Sequence, residues 1–429
     1  MSTPEARPSM LAPFGTRSFR VQWPADSCVA WALEMETLIL GWYVLVETGS
    51  VLMLTIFGAL QFVGTLASPL LGTLGDRVGL RRVLATMRFA YALLAGVILL
   101  LASTGRLSPL AVLCVAGVAG MIRPSDIGIR TALVGATVPH QHLMAAMGIS
   151  RTSMDSAKVA GALVGAGVVA TYGMVAAYAA ITAIHLLGAL LTLQVDSGKH
   201  DHDHPAVPGS AAAQRPSPWR ELREGLAYIW HTPQLLAAMC VAGLVNFSAF
   251  PFTGGLMPYI AREVFHLDQQ GLGWLVASFA GGSLVGSVLM SALGARLAPG
   301  RTMLGACVAW YLCLAGFVSG THLGLAMALL VGAGIAQSTS MLALSMLLLR
   351  SSDQRFRGRI MGVRMLAIYP LPLGLLFAGA MIPRIGYGWT ADAMLCCGLL
   401  VTVVIGLTWR RDLWRPDAPG NARAAAPGR

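Results

Sequence analysis

The stretch GTLGDRVGLRRVL occupies residues 72–84 and joins two apolar runs, 51–73 and 83–103. It packs two glycine-flanked turns and four charges, Asp76, Arg77, Arg81 and Arg82, into a dozen residues. Each flanking run is about 20 residues, the length an α-helix needs to cross the hydrocarbon of a bilayer. A short charged turn between two such runs reads as two transmembrane helices meeting water at one membrane face. Gly79 permits the tight reversal, because only glycine takes up left-handed backbone freely.

The same reading extends in both directions. Further apolar spans are expected at 25–46, 108–132, 148–171 and 174–195. A polar stretch, 196–233, then divides the chain. Beyond it lie 234–259, 271–294, 302–320, 323–348, 359–382 and 388–409. The chain therefore reads as an all-α membrane protein of twelve helices in two pseudo-symmetric six-helix bundles, 25–195 and 234–410. Tails at 1–24 and 411–429 flank them. The halves echo each other. LGDRVGLRRVL at 74–84 follows the second span, and LGARLAPGRTML at 293–304 follows the eighth. AMGISR at 146–151 opens the fifth, and IMGVRM at 360–365 opens the eleventh. Both echoes are offset by about half the chain, the pattern of internally duplicated carriers.

Composition agrees. The 429 residues are 56% hydrophobic and only 11% charged, against roughly 25% charged in soluble domains. The net charge of +11 would suggest nucleic acid in a soluble protein. Here the arginines fall on one side of the spans. Arg77, Arg81, Arg82, Arg151, Arg220, Arg223, Arg296, Arg301, Arg350, Arg355, Arg357, Arg359, Arg410 and Arg411 lie at one set of turns, and Arg106, Arg262 and Arg384 at the other. Positive residues stay cytoplasmic, so both termini and the linker are expected inside a bacterial inner membrane, with no nucleic-acid partner. The polar first 24 residues do not read as a secretory signal. The seven cysteines form no CxxC and read as packing residues.

The stretch at 72–84 resembles the signature loop between the second and third helices of the major facilitator superfamily. Gly72, Asp76, Arg77, Gly79, Arg81 and Arg82 match it, with Gly75 in the same run. Leu80 departs from the pattern, so the following arginine falls one residue late. The resemblance implies a gating loop in which Asp76 meets the positive end of the eleventh helix. AGALVGAG at 160–167 resembles the antiporter motif of the same superfamily through Gly161 and Gly165. Ala162 stands where that motif has proline, and plain small-residue helix packing is the other reading. With the linker and RGRIMG at 357–362, the chain is similar to the enterobactin- and macrolide-exporter branch. That resemblance implies a monomeric, cofactor-free carrier of a small amphipathic molecule across the lipid bilayer, with the proton as coupling ion.

Ionisable residues at membrane depth are expensive and default to function. Glu34 and Glu36 fall near the middle of the first span, about 200° apart around the helix. One is expected to line a pathway and the other to meet a neighbouring helix. A carboxyl that loses water holds its proton more tightly and releases it when rehydrated, which suits a proton carrier. Arg123 and Asp126 in the fourth span, and Asp155 and Lys158 in the fifth, each share a helix face at i,i+3 spacing. Antiparallel spans joined by a short loop allow Arg123 to meet Asp155 and Lys158 to meet Asp126. Lys158 with Glu34 is the alternative.

In the seventh span Asn246 and Phe250 stand beside Pro251 and Pro258, and in the eleventh Tyr369 precedes Pro370. Kinks there would let these side chains line a substrate path. His185 reads as a helix-packing histidine. Residues 218–230, PWRELREGLAYIW, read as an amphipathic helix at the membrane interface. The HDHDH run, His200 to His204, has the composition of a metal-binding tract but no defined site, and no metal is expected. Rival readings are an uptake carrier for a metabolite or lipid, a non-transporting receptor and an intramembrane enzyme. Neither HExxH, GxSxG nor GxxxxGK[ST] occurs, which argues against the zinc-protease, hydrolase and ATP-driven classes.

Overall fold

The computed structural model describes residues 11–65, 78–196, 218–294, 297–320, 322–352 and 357–414. Their regular structure is all helical, with no strand among them. Gly72, Gly75, Asp76, Arg77 and the His200–His204 run lie outside the described residues.

The helices are α1 (Arg17–Thr48), α2 (Val51–Leu60), α3 (Leu80–Ser103), α4 (Pro109–Thr137), α5 (His140–Leu193), α6 (Pro218–Trp230), α7 (Pro233–Ser248), α8 (Gln269–Leu293), α9 (Pro299–Ser319), α10 (Leu323–Arg350), α11 (Arg357–Leu366), α12 (Pro370–Ile385) and α13 (Tyr387–Thr408). Among the described residues, nine helices are long and apolar enough to cross a membrane.

The differences from twelve separate spans have local causes. Helix α5 is 54 residues long, about 80 Å at 1.5 Å per residue, and cannot be one crossing. It turns at Gly173, whose φ of 79° and ψ of 177° are open to glycine. The expected fifth and sixth spans are its two arms. The seventh span is broken. After α7 come short helical pieces at Phe250–Thr253 and Met257–Tyr259 and a π turn at Ile260–Val264. Pro251 and Pro258 cannot donate to the helical ladder, which fixes those breaks. The eleventh span divides into α11 and α12 just before Pro370. The amphipathic segment forms α6, bent 108° away from α7.

Two compact units result. The first holds residues 1–214 and 253–281, and the second residues 215–252 and 282–429. In the first unit α5 packs along α1 and α3. Its glycines allow this. A Cβ on Gly161 would sit 2.9 Å from Cβ of Glu34, and one on Gly188 would sit 2.8 Å from a methyl of Val29. Close van der Waals approach of this kind is the main adhesive between helices in lipid. In the second unit α12 crosses α7 just as tightly, with a Cβ on Gly374 falling 2.0 Å from the carbonyl oxygen of Phe247.

Helix α3 shows how the sequence sorts its faces. Leu84, Arg88, Tyr91, Ala95 and Ile98 are buried, whereas Phe89, Leu93, Val97 and Leu100 are exposed. Both sets follow the helical repeat of three and four residues. The outer face is as apolar as the inner, as expected where the surrounding solvent is lipid.

Candidate functional site

The candidate site lies in the first unit and is built from α1, α3, α4, α5 and the residue that ends α2. Helix α1 carries Glu34 and Glu36 on different faces, so each meets a different partner. Glu34 pairs with Arg123 of α4, Oε1 to Nη2, at 3.7 Å. Arg123 Nη1 also donates to Gln61 Oε1 and, at 3.3 Å, to Thr37 Oγ1. Both members of the pair are about a quarter exposed, at 27% and 26%. Glu36 Oε2 lies 3.5 Å from Nε2 of His185, a side chain with no exposed surface. Glu36, Thr37, Gln61 and Arg123 line one small open cavity of about 30 Å³. Its remaining walls are apolar, among them Leu33, Leu40 and Phe57.

A second charge cluster centres on Arg88 of α3, about one turn from Arg123 along α4 and about two turns from Glu34 along α1. Arg88 is completely buried. Its guanidinium pairs with Asp26 of α1, and its Nε lies 3.8 Å from Oδ1 of Asp126 on α4. Arg88 Nη1 donates to Thr192 Oγ1 of α5 at 2.6 Å. Arg130, also buried, lies within electrostatic reach of Asp26. Two guanidiniums thus face two carboxylates, and the cluster ties four helices together. A charge balance of this kind is what lets ions remain in a dry interior.

The cross-helix pairs expected between the fourth and fifth spans do not form. Arg123 meets Glu34, not Asp155, and Asp126 meets Arg88, not Lys158. Asp155 is held within its own helix, by Arg151 at 3.1 Å and Lys158 at 3.8 Å. Lys158 is 43% exposed and does not reach Glu34. The cause is packing. Helix α5 lies along α1 and α3 and has only brief contact with α4, so sequence neighbours are not neighbours in space. The residues missed on sequence are Asp26, Arg88, Gln61 and Thr192, together with the partnership of His185 and Glu36. Only Arg88 carried a plain signal, a fixed cation in phase with the buried face of α3.

The remaining residues fall as follows. Gly79 has φ 99° and begins α3. Arg81 Nη1 donates to the carbonyl of Val195 at 3.1 Å, tying this turn to the end of α5, and Arg82 is exposed. Gly161 and Gly165 face α1, where a Cβ on Gly165 would meet Met35 at 3.2 Å. That geometry supports the packing reading of the 160–167 motif. In the second unit, Asn246 donates to the carbonyl of Ala242 at 2.8 Å. Phe250 stacks edge-on against buried Trp310 with centroids 4.9 Å apart, a packing contact. Tyr369 is half-buried at the break before α12.

Apolar helices in two bundles, with a charged cavity inside one of them, define a polytopic membrane protein of the kind that moves solutes. The family profile of the Major Facilitator Superfamily matches residues 27–254 and 239–428, and the chain belongs to that superfamily. Membership of that superfamily makes it a non-enzymatic transporter. No curated protein sequence matches the chain significantly.

Solved structures share the fold at low identity. A bacterial homologue of the human lysosomal transporter Spinster, inward-facing and unoccupied, is 13% identical with a TM-score of 0.67 and covers 93% of this chain and 98% of its own. A D-xylose–proton symporter is 12% identical with a TM-score of 0.67, covering 93% and 98%. The human organic anion transporter TETRAN is 15% identical with a TM-score of 0.63, covering 93% and 100%.

Proposed function

We propose that this transporter exports a small amphipathic molecule, a drug or a siderophore, in exchange for protons by alternating access. The observation that carries the reading is the cavity of the first unit. It sets an intramembrane carboxylate, Glu36, on an otherwise largely apolar wall, with a buried histidine behind it. An apolar wall suits the body of an amphipathic solute, and the carboxylate suits a proton. The exporter branch, the gating role of Asp76 and the antiporter role of Gly161 and Gly165 belong to the same proposal and rest on sequence resemblance. So does action as a monomer.

The proposed setting is a bacterial inner membrane, with both termini and the 196–233 linker in the cytoplasm. Arginine asymmetry supports it. Single cysteines at Asp196 and Thr104, both exposed, are expected to label differently on a cysteine-free background. A membrane-impermeant thiol reagent added to intact cells should react at 104 and spare 196. Reaction at 196 with protection of 104 would invert the orientation.

The decisive assay is flux in proteoliposomes with an imposed pH gradient and a panel of amphipathic drugs, siderophores and metabolites. Proton exchange concentrates substrate in acid-interior vesicles, because protons leave as substrate enters. Accumulation in alkaline-interior vesicles would make the chain a symporter and support uptake instead. Flux indifferent to the gradient would remove the proton from the mechanism.

A further inference from the structure

Among the buried polar atoms of the first unit that have no hydrogen-bonding partner, four belong to three side chains near Glu36. They are both ring nitrogens of His185 and the hydroxyls of Tyr91 and Tyr178. All three side chains are at most 1% exposed. Folded proteins leave few such groups unsatisfied, and each asks for a reason.

These groups surround one carboxylate. The Tyr91 and His185 rings are tilted against each other, with centroids 5.6 Å apart. Tyr178 lies two turns before His185 on the same face of α5. Both tyrosines are within electrostatic reach of Glu36, and Glu36 itself is 3.5 Å from His185. The groups facing His185 are therefore Glu36 from α1, Tyr91 from α3 and Tyr178 from its own helix. Arg88, Arg123 and Asp126 act on Tyr91 from further off. Arg123 is engaged by Glu34, Gln61 and Thr37. Glu36 thus has an imidazole beside it and opens on its other side to the cavity.

We propose that Glu36 and His185 hold one exchangeable proton in common, with His185 as the buried partner and the Tyr91 and Tyr178 hydroxyls lining its path. This rests on the proton-coupled reading and adds the second residue to it. Without the proton, a carboxylate and a neutral imidazole carry a net charge of −1. With it the pair is neutral, whichever partner holds the proton. In transfer, the Nε2–H bond of the imidazolium breaks and the Oε2–H bond of the carboxylic acid forms. The N–H electron pair stays on nitrogen, and the pair's net charge does not change. Closing the cavity to water penalises the charged form, and opening it favours release. The pair thereby links proton occupancy to the access state of the cavity.

The test counts protons and needs no transport substrate. Purified full-length protein in lipid nanodiscs is taken from about pH 8 to about pH 5, the range over which histidine changes charge, and proton uptake is read with an indicator dye. Glu36→Gln and His185→Gln are each expected to take up one proton fewer than wild type, and the double variant also one fewer. A double variant that loses two, or a single variant that loses none, overturns the proposal. If His185 variants do not fold, nitrogen NMR of histidine-labelled protein gives the same reading. Glu36→Gln should then show one ring fewer protonating than wild type, and an unchanged number overturns the proposal. The count is independent of flux. A shared proton without gradient-driven transport would leave the pair standing and remove the proton-coupled function, and the converse would do the opposite.

Discussion

Arg88→Met is expected to destabilise the first unit by about 3–5 kcal/mol, the range for breaking a buried charge pair by removing one partner. Against a total stability of roughly 5–15 kcal/mol, that is a large share. Arg88 has no exposed surface and touches Asp26, Asp126 and Thr192 on three other helices. Methionine fills similar space but leaves Asp26 to Arg130 and takes from Asp126 the arginine it pairs with. Arg88→Met with Asp126→Asn removes one charge of each sign and leaves Asp26 with Arg130. The double variant should therefore be more stable than the single one. Thermal unfolding in detergent, followed by size-exclusion chromatography, measures both. A single variant as stable as wild type would show that this cluster does not hold the helices together. A double variant no better than the single one would show that the effect is shape and not charge.

Arg88 also marks the limit of what was legible. The spans could be read because lipid demands long apolar runs and water demands charged turns. Gly79 and the prolines of the seventh and eleventh spans announced a turn and two breaks through their own backbone chemistry. Partner choice could not be read in the same way. It depends on which helices lie side by side and how each is rotated. The expected network of Arg123, Asp126, Asp155 and Lys158 assumed that consecutive spans pack together. Instead α5 uses Gly161, Gly165 and Gly188 to lie against α1. Asp126 meets Arg88 of α3, and Asp155 pairs with Arg151 and Lys158 of α5. Arg88 was readable in principle, since it repeats with Leu84, Tyr91 and Ala95. His185 gave no such sign, because one histidine in an apolar helix has the same sequence appearance whether it packs or titrates. The opposed directions of Glu34 and Glu36, by contrast, follow from helix geometry alone. The structure gives the one a fixed cation and the other a histidine and a cavity wall.

That difference sets the second large effect. Glu34 is matched by Arg123, so its charge has a standing structural partner. Among the described residues no arginine or lysine forms an ion pair with Glu36, which meets both the cavity and His185, so it is the carboxylate proposed to carry the proton. Glu36→Gln keeps the shape and removes the exchangeable proton. It is expected to lower pH-driven accumulation by about a hundredfold or more, the range for losing a positioned proton-transfer group. Counterflow of substrate at equal pH on both sides should persist, because exchange of bound substrate needs no net proton movement. Glu34→Gln should keep most of its gradient-driven flux. The most direct measurement is accumulation in acid-interior proteoliposomes by wild type, Glu36→Gln and the Glu34→Gln, Glu36→Gln double variant, with counterflow measured on the same preparations. The expected result is accumulation by wild type alone and counterflow by all three. Gradient-driven accumulation surviving in the double variant would contradict proton coupling through the first helix and turn attention to Asp126 and Asp155.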